Sequence, residues 1–289
     1  MSGGGILTPP FARLPRTGRH GASLVYSALA MTTGRPADDL GSFLDRAVLP
    51  DGWRVLHEPT VASTNDLARE AARRGWPDRS AFVADYQTDG RGRHGRAWAC
   101  PPRAGLLASI LLRRRDLPPQ AHTMLASVAL CEAAERLLAL EPRIKWPNDV
   151  VIDGRKTAGV LAEASDDGRE RIVVVGIGVN VNVEHAELAE LPNATSLAIE
   201  AGHPVHRGEL LALLLERFDA WLKQPPDRLV AGLWAAWNGR IWGRDQVVRL
   251  SDGADELVGT LLGADPDGAL VVQTADGDRR RVVAGEILP

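Results

Sequence analysis

The sequence is poor in lysine, cysteine and histidine, and it lacks a long apolar run. Two cysteines, Cys100 and Cys131, in 289 residues are too few for a disulfide scaffold and fit free thiols in a reducing compartment. Seven histidines are scattered without His-x-x-x-His spacing, so no metal site can be read from them, and His94 reads as a variable loop position. No apolar stretch approaches the ~20 residues of a membrane span. A formal net charge of −3 removes the global basic field of a nucleic-acid track. Of 34 Lys and Arg, only Lys145, Lys156 and Lys223 are lysines. A chain that uses Arg almost everywhere has kept Lys at these places, either by chance or because a compact ammonium is needed where a planar guanidinium cannot fit.

The length admits one large domain and a small one, and 45% apolar residues is ordinary for a globular chain. Residues 1–36 are rich in Gly, Pro, Thr and Arg and show no periodicity, which reads as a disordered or loosely attached extension. Within them Arg13, Arg16 and Arg19 precede a partly apolar stretch, the outline of a weak signal peptide. Residues 38–49 fit one short helix. From about 51 to 238, strand and helix signals alternate. Strands are expected at 55–57, 81–87, 106–112, 143–145, 150–152, 159–163 and 171–176, with an Asp153-Gly154 hairpin turn. Helices are expected after Ser63-Thr64-Asn65, at 121–140, at 208–221 and around Trp234 and Trp237. Beyond Gly239 four short strands are punctuated by Asp-Gly pairs. The fold class is therefore α+β: a mixed-sheet domain flanked by helices, residues 51–238, and a small C-terminal β-barrel, residues 239–289, after an N-terminal extension of residues 1–50.

Three runs carry chemistry. Gly90-Arg91-Gly92-Arg93-His94-Gly95-Arg96-Ala97-Trp98 follows a buried strand ending at Gln87. Its glycines allow close backbone approach, and its arginines offer forks of donors for carboxylate or phosphate. The same run also fits a solvated loop or an Arg-Gly RNA-binding segment. Three Gly and several like charges predict a loop whose arginines repel one another until an anion arrives. Lys145-Trp146-Pro147-Asn148-Asp149 is a turn after a short strand. Gly176-Ile177-Gly178-Val179-Asn180 ends an apolar strand and reads either as closely approached backbone or as a glycine bulge.

In this order, and together with Ser63-Thr64-Asn65, the runs resemble the biotin–protein ligases. The likeness comprises Ser-Thr-Asn, then Gln87-x-x-Gly90-Arg91-Gly92-Arg93-x-Gly95-Arg96-x-Trp98, then Lys145-Trp146-Pro147-Asn148-Asp149, then Gly176-x-Gly178-x-Asn180. It covers about residues 53–289, and the run from Lys156 to Glu163 also looks like this family. The resemblance implies ATP-dependent formation of biotinyl-5'-adenylate, then transfer of biotin to one lysine of a biotin carboxyl carrier domain. No protein nucleophile is needed. Holding two anions together calls for cations and backbone amides.

Carried over by position, Ser63, Thr64, Asn65 and Gln87 would hold biotin, and Gly90, Arg91, Gly92 and Arg93 would surround its carboxylate and the phosphate. Lys145, Arg91 and Arg93 would be catalytic. Arg93, Arg96, Trp98, Asn148, Gly178 and Asn180 would contact the nucleotide, Trp98 by packing on adenine. Mg2+ is expected with ATP, with no metal ligand identified beyond the turn carboxylate Asp149. The resemblance further implies a cytoplasmic monomer or homodimer with no membrane association. Fewer than two helices precede residue 51, so an N-terminal helix-turn-helix module and specific DNA binding are not expected. A lipoate–protein ligase or transferase of the same fold is the enzyme alternative, and an Arg-Gly nucleic-acid binder is the alternative of another class.

Overall fold

The computed structural model describes residues 39–114, 116–166, 170–251 and 256–288, all within one compact unit. The expectations for residues 1–36 lie outside the described residues. The helix expected over 38–49 is a single turn, α1 (Leu40–Leu44), with Asp39 as its N-cap accepting from Ser42 N and, at 2.6 Å, from Ser42 Oγ. The apolar signal there is one fully buried side chain, Leu40, which does not sustain a longer helix.

Seven strands form one mixed sheet: β1 (Arg54–Val61), β2 (Ser80–Gln87), β3 (Gly105–Arg113), β4 (Arg143–Lys145), β5 (Asp149–Ile152), β6 (Arg155–Asp166) and β7 (Arg171–Asn180). Their order is β1-β2-β3-β7-β6-β5-β4. Only β1 and β2 run parallel, because α2 (Thr64–Arg73) crosses between them. The hairpin of β5 and β6 turns at Asp153-Gly154, both with positive φ, the backbone that a two-residue type I′ turn requires.

Strand β7 explains how one face of this sheet becomes a core and the other a cleft. Side chains alternate across a strand. Val173, Val175, Ile177 and Val179 join the main buried cluster with α3 (Pro119–Leu138), the short α4 (Leu197–Ala201), α5 (Arg207–Leu222) and α6 (Pro226–Gly239). On the opposite face, Val174 packs under α2 with Phe82 and Leu111, and Gly176 and Gly178 follow. The register places Gly159 of β6 beside Gly178, so the sheet surface there has no side chains. Helix α3 is buried on nearly every side, which explains its mixed apolar spacing: it lies between the sheet and two helices rather than at a water boundary.

The C-terminal strands β8 (Val247–Ser251), β9 (Glu256–Ala264), β10 (Leu270–Gln273), β11 (Arg279–Val282) and β12 (Glu286–Ile287) form an antiparallel sheet in the order β11-β10-β9-β8-β12. A closed barrel was expected. Among the described residues β11 and β12 remain the two edges, with no ladder between them. Both are short, and Leu250, Leu261, Leu270 and Ile287 share the main buried cluster instead, so the inner face is covered without closure. Trp146 Nε1 donates to Gly268 O at 2.9 Å and Trp234 Nε1 to Ala264 O at 3.1 Å, fixing this sheet to the turn after β4 and to α6. No helix among the described residues is long and apolar enough to cross a membrane.

Candidate functional site

The bare sheet surface floors an open cleft of about 200 Å³. Its walls bring together Ser63, Thr64 and Asn65, Gln87, the loop residues Arg91, Gly92, Arg93, Arg96 and Trp98, Lys145 and Asn148, and Gly178. Of the residues singled out in the sequence, Gly90 and Asn180 do not line it.

Ser63, Thr64 and Asn65 are buried at the start of α2. Ser63 has the extended backbone of an N-cap, yet its hydroxyl makes no capping bond. The carboxamide of Gln87 takes that role: its Oε1 accepts from Thr64 N at 2.7 Å and from Thr64 Oγ1 at 3.0 Å. Ser109 of β3, which sequence reading passed over, lies beneath, with its Oγ 2.7 Å from Thr64 Oγ1 and 2.5 Å from Asn65 Oδ1. Asn65 Nδ2 donates to Glu163 Oε2 at 2.6 Å.

The Gly-Arg loop is a closed hairpin. Trp98 N donates to Gly90 O at 2.8 Å, Gly92 N to Arg96 O at 2.7 Å, and Arg96 N to Arg93 O at 3.1 Å. A Cβ at Gly90 would strike the Trp98 carbonyl and lie 2.9 Å from Gln87 Nε2; this glycine closes the neck of the loop rather than facing the cleft. The expected mutual repulsion of the arginines is reduced, because carboxylates meet two of them, Arg91 and Arg96. Arg91 faces Asp66 at 2.6 Å and Asp89 at 3.4 Å. Arg96 forms a two-pronged pair with Glu286 of β12 at 2.8 and 3.0 Å. Arg93 touches the amide oxygen of Asn148 at 3.4 Å. Burial is the largest influence on Asp66 and raises its pKa, but the hydrogen bonds from Arg91 and Arg69 outweigh it and hold the carboxyl below its ordinary value. The Arg96 contact likewise lowers Glu286.

Lys145 ends β4, half-buried, with its ammonium 5.5 Å from the Trp242 ring centre. Burial pushes its pKa down and the charge of Lys156 adds to that, while Asp149 and Glu286 oppose it. Lys156 was noted in the sequence without a role. It bridges the cleft floor, 2.8 Å from Asp149 Oδ1 and 5.5 Å from the Trp98 ring centre. The Trp98 indole lies along the bare strand: a Cβ on Gly178 would stand 2.8 Å from its Nε1, and one on Gly159 would stand 3.2 Å from its Cζ3. The Trp98 Nε1 is buried without a hydrogen-bond partner among the described residues. Asn148 Nδ2 donates to Val160 O at 2.8 Å, and the Trp146–Pro147 peptide before it is cis. Asn180 is buried and donates to Thr195 O at 3.0 Å, supporting the chain that leaves β7.

The site can therefore hold an anion between Lys145, Lys156 and Arg93, beside a polar recess at the start of α2 and a partly buried indole. Among the described residues no group of three or more His, Cys, Asp or Glu could hold a metal ion. Asp149 and Glu286 are each already paired with a cation. A second opening of about 310 Å³ shares Arg93, Trp146 and Asn148 with the first and reaches Asp267 and Val283 of the C-terminal sheet.

Comparison with known proteins follows the same division. Residues 58–180 match the biotin/lipoate A/B protein ligase family, and residues 245–288 match the biotin protein ligase C-terminal domain. A biotin–[acetyl-CoA-carboxylase] ligase of Mycobacterium tuberculosis is 34% identical over 269 residues, covering 88% of this chain and 96% of that protein. One from Paracoccus denitrificans is 37% identical over 218 residues, covering 72% and 90%. A bifunctional ligase/repressor of Bacillus subtilis is 34% identical over 241 residues, covering 79% and 72%. The solved biotin protein ligase of Aquifex aeolicus in complex with biotin and ATP superposes with a TM-score of 0.71 at 28% identity, covering 81% of this chain and 97% of that one.

Proposed function

The chain belongs to the biotin–protein ligase family, and from that premise we propose that it activates biotin with ATP and passes the biotinyl group to a carrier lysine. A biotin carboxylate oxygen attacks the α-phosphorus of ATP, the bond to the bridging oxygen breaks, and pyrophosphate leaves. The carrier amine then attacks the acyl carbon of biotinyl-5'-adenylate, AMP leaves, and the surplus proton of the amine passes to solvent. The observation that carries this reading is the convergence of four separate sequence runs on one cleft.

The residues divide the work by position. The hydroxyls and amides of Ser63, Thr64, Asn65 and Gln87 line a polar recess suited to the ureido ring. Lys145 lies across the cleft from them and supplies a compact positive charge where the carboxylate and α-phosphate meet. Arg93 and the loop backbone around Gly92 steady the same charge. Trp98, set against Gly178, offers an apolar plate for adenine, and Asn148 and Arg96 lie at its margin. Asn180 acts from behind, through Thr195. Arg91, expected to balance ligand charge, already has two carboxylate partners, so we assign the balancing to Arg93 and Lys145.

Mg2+ would come with the ATP phosphates and would offset part of their negative charge. The carboxylates at the cleft do not form a protein cage for it, and no step is assigned to a protein-held metal. The acceptor is the biotin carboxyl carrier domain of an acyl-CoA carboxylase. The working state is a cytoplasmic monomer or homodimer without specific DNA binding.

The test is incubation of the protein with biotin, ATP, Mg2+ and a biotin carboxyl carrier domain, followed by intact-mass measurement of the carrier. One biotinyl group per carrier, dependent on ATP, is expected. An unmodified carrier in the presence of folded protein overturns the reading, and incorporation of lipoate in place of biotin replaces it with the lipoate alternative. Tight, salt-sensitive binding of single-stranded RNA would favour the Arg-Gly binder instead.

A further inference from the structure

Residues from four elements form an unbroken polar chain beside the cleft. Arg91 of the loop donates to Asp66 Oδ1 at 2.6 Å. Asp66, in the first turn of α2, also accepts from Arg69. Arg69 Nη1 lies 2.6 Å from Glu163 Oε2 of β6, which accepts from Asn65 Nδ2 at 2.6 Å. Asn65 Oδ1 in turn lies 2.5 Å from Ser109 Oγ of β3. Two guanidinium groups and two carboxylates thus alternate between the loop and the polar recess.

We propose that Asp66 is a positioning residue that acts through Arg91 to fasten the Gly-Arg loop across the cleft, with Arg69 and Glu163 tying that fastening to Asn65. The proposal takes the cleft as the ligase site of the preceding subsection. The geometry separates two arginines that look alike in sequence. Arg91 points back into the scaffold and is neutralised by Asp66 and Asp89, so its charge is spent on the protein itself. Arg93, two residues on, has among the described residues only the Asn148 amide oxygen at 3.4 Å and is the loop cation left for a ligand. An acid in the first turn of a helix also stabilises the helix dipole. That role alone would require neither the 2.6 Å contact to Arg91 nor the shared Arg69 bridge to Glu163. The four charged members, Arg91, Asp66, Arg69 and Glu163, are each about one-third exposed or a little more, so each ion pair is modest alone. A loop of nine residues needs only a modest bias to favour one pose.

Hydrogen exchange of the protein without ligands tests this directly, read at the amides of Gly92, Arg96 and Trp98, which the closed loop hydrogen-bonds. Asp66→Asn keeps the shape of the side chain and removes its charge. Exchange at these three amides should rise about threefold to tenfold, the range that corresponds to a partly exposed ion pair and its neighbour. Arg91→Gln should do the same, and the double variant should be no faster than either single one. Asp66→Glu should restore most of the protection. In the presence of biotin and ATP, Asp66→Asn should release biotinyl-adenylate faster by a similar factor. If Asp66→Asn lowers the melting temperature but leaves the three loop amides unchanged, Asp66 serves only the helix and the proposal is overturned. Additive effects of Asp66→Asn and Arg91→Gln would overturn it as well. If the parent protein forms no adenylate, the ligase reading fails, while the exchange result still decides the fastening.

Discussion

Replacing Gly178 by alanine probes the nucleotide side of the cleft through a single methyl group. Its Cβ would stand 2.5 Å from Trp98 Cε2 and 2.8 Å from Cζ2 and Nε1. Nonbonded carbons settle at about 3.5–4.0 Å, so one partner must give by roughly 1 Å. Strand β7 cannot supply that movement, because Gly178 is paired with Leu107 on one side and Gly159 on the other. The indole must move, and Gly159 and Lys156 already lie against it. Overpacking of this kind costs about 1–3 kcal/mol. If ATP binds with adenine on that indole, its Kd should rise roughly 5-fold to 150-fold. The recess built by Thr64, Asn65 and Gln87 does not touch residue 178, so biotin affinity should stay within about twofold, a difference of less than 0.5 kcal/mol. Calorimetric titration with biotin and with a nonhydrolysable ATP analogue separates the two. In a Trp98→Ala background the added penalty should vanish, because the clash has no partner. An ATP affinity unchanged by Gly178→Ala, or a penalty that persists without Trp98, would refute the placement of adenine.

Three further outcomes follow from the geometry. Lys145→Arg should slow adenylate formation by about a hundredfold, the usual worth of ~3 kcal/mol of charge stabilisation, while the fold persists; single-turnover formation of adenylate at the parent rate would make Lys145 structural. His122 is fully buried in α3, and desolvation lowers its pKa, so the unfolded chain takes up a proton that the folded chain refuses. Its contribution to stability is complete above about pH 6.5 and is lost as pH falls from there toward the depressed folded value; urea unfolding at pH 7.5 and 5.5 should show a decline that His122→Leu flattens. Arg207 is wholly buried and lies 2.9 Å from Asp85 Oδ1, whose other oxygen meets His57 at 3.1 Å. Arg207→Leu strands that carboxylate and should cost about 3 kcal/mol in urea unfolding; a loss below about 1 kcal/mol would mean that His57 alone suffices.

Where the sequence carries strong local signals, the structure agrees with them. The Asp153-Gly154 hairpin, the apolar strand of β7 and the helices α3, α5 and α6 each rest on spacing or on turn chemistry within a few neighbours. Helix α1 was overdrawn because Leu40 alone provides its apolar anchor. The C-terminal strands were legible one by one, but their closure was not, since whether edges meet depends on what covers the inner face. The cleft was legible through its ligand-facing motifs. Its supporting shell was not: Ser109 reads as one more residue of a buried strand, and nothing local marks Glu163 or Asp66 as partners of the recess until β3, β6 and α2 meet. The repulsion expected within the Gly-Arg loop is weaker for the same reason. Asp89 lies only two residues before Arg91, but the closer carboxylates lie 25 residues before Arg91 and 190 residues after Arg96, beyond any local window.

The pair between Arg96 and Glu286 also bears on the order in which the molecule can be assembled. On a ribosome, the seven-stranded sheet and its glycine floor are complete once β7 has emerged, more than a hundred residues before β12. At that stage the cleft lacks the wall that Glu286 and Ile287 contribute. Contacts between such distant stretches of chain are slow to form, because a long loop must close before they reward it. A nascent chain is thus able to shape its polar recess early, yet it completes the wall of the cleft only after β12 has joined its sheet.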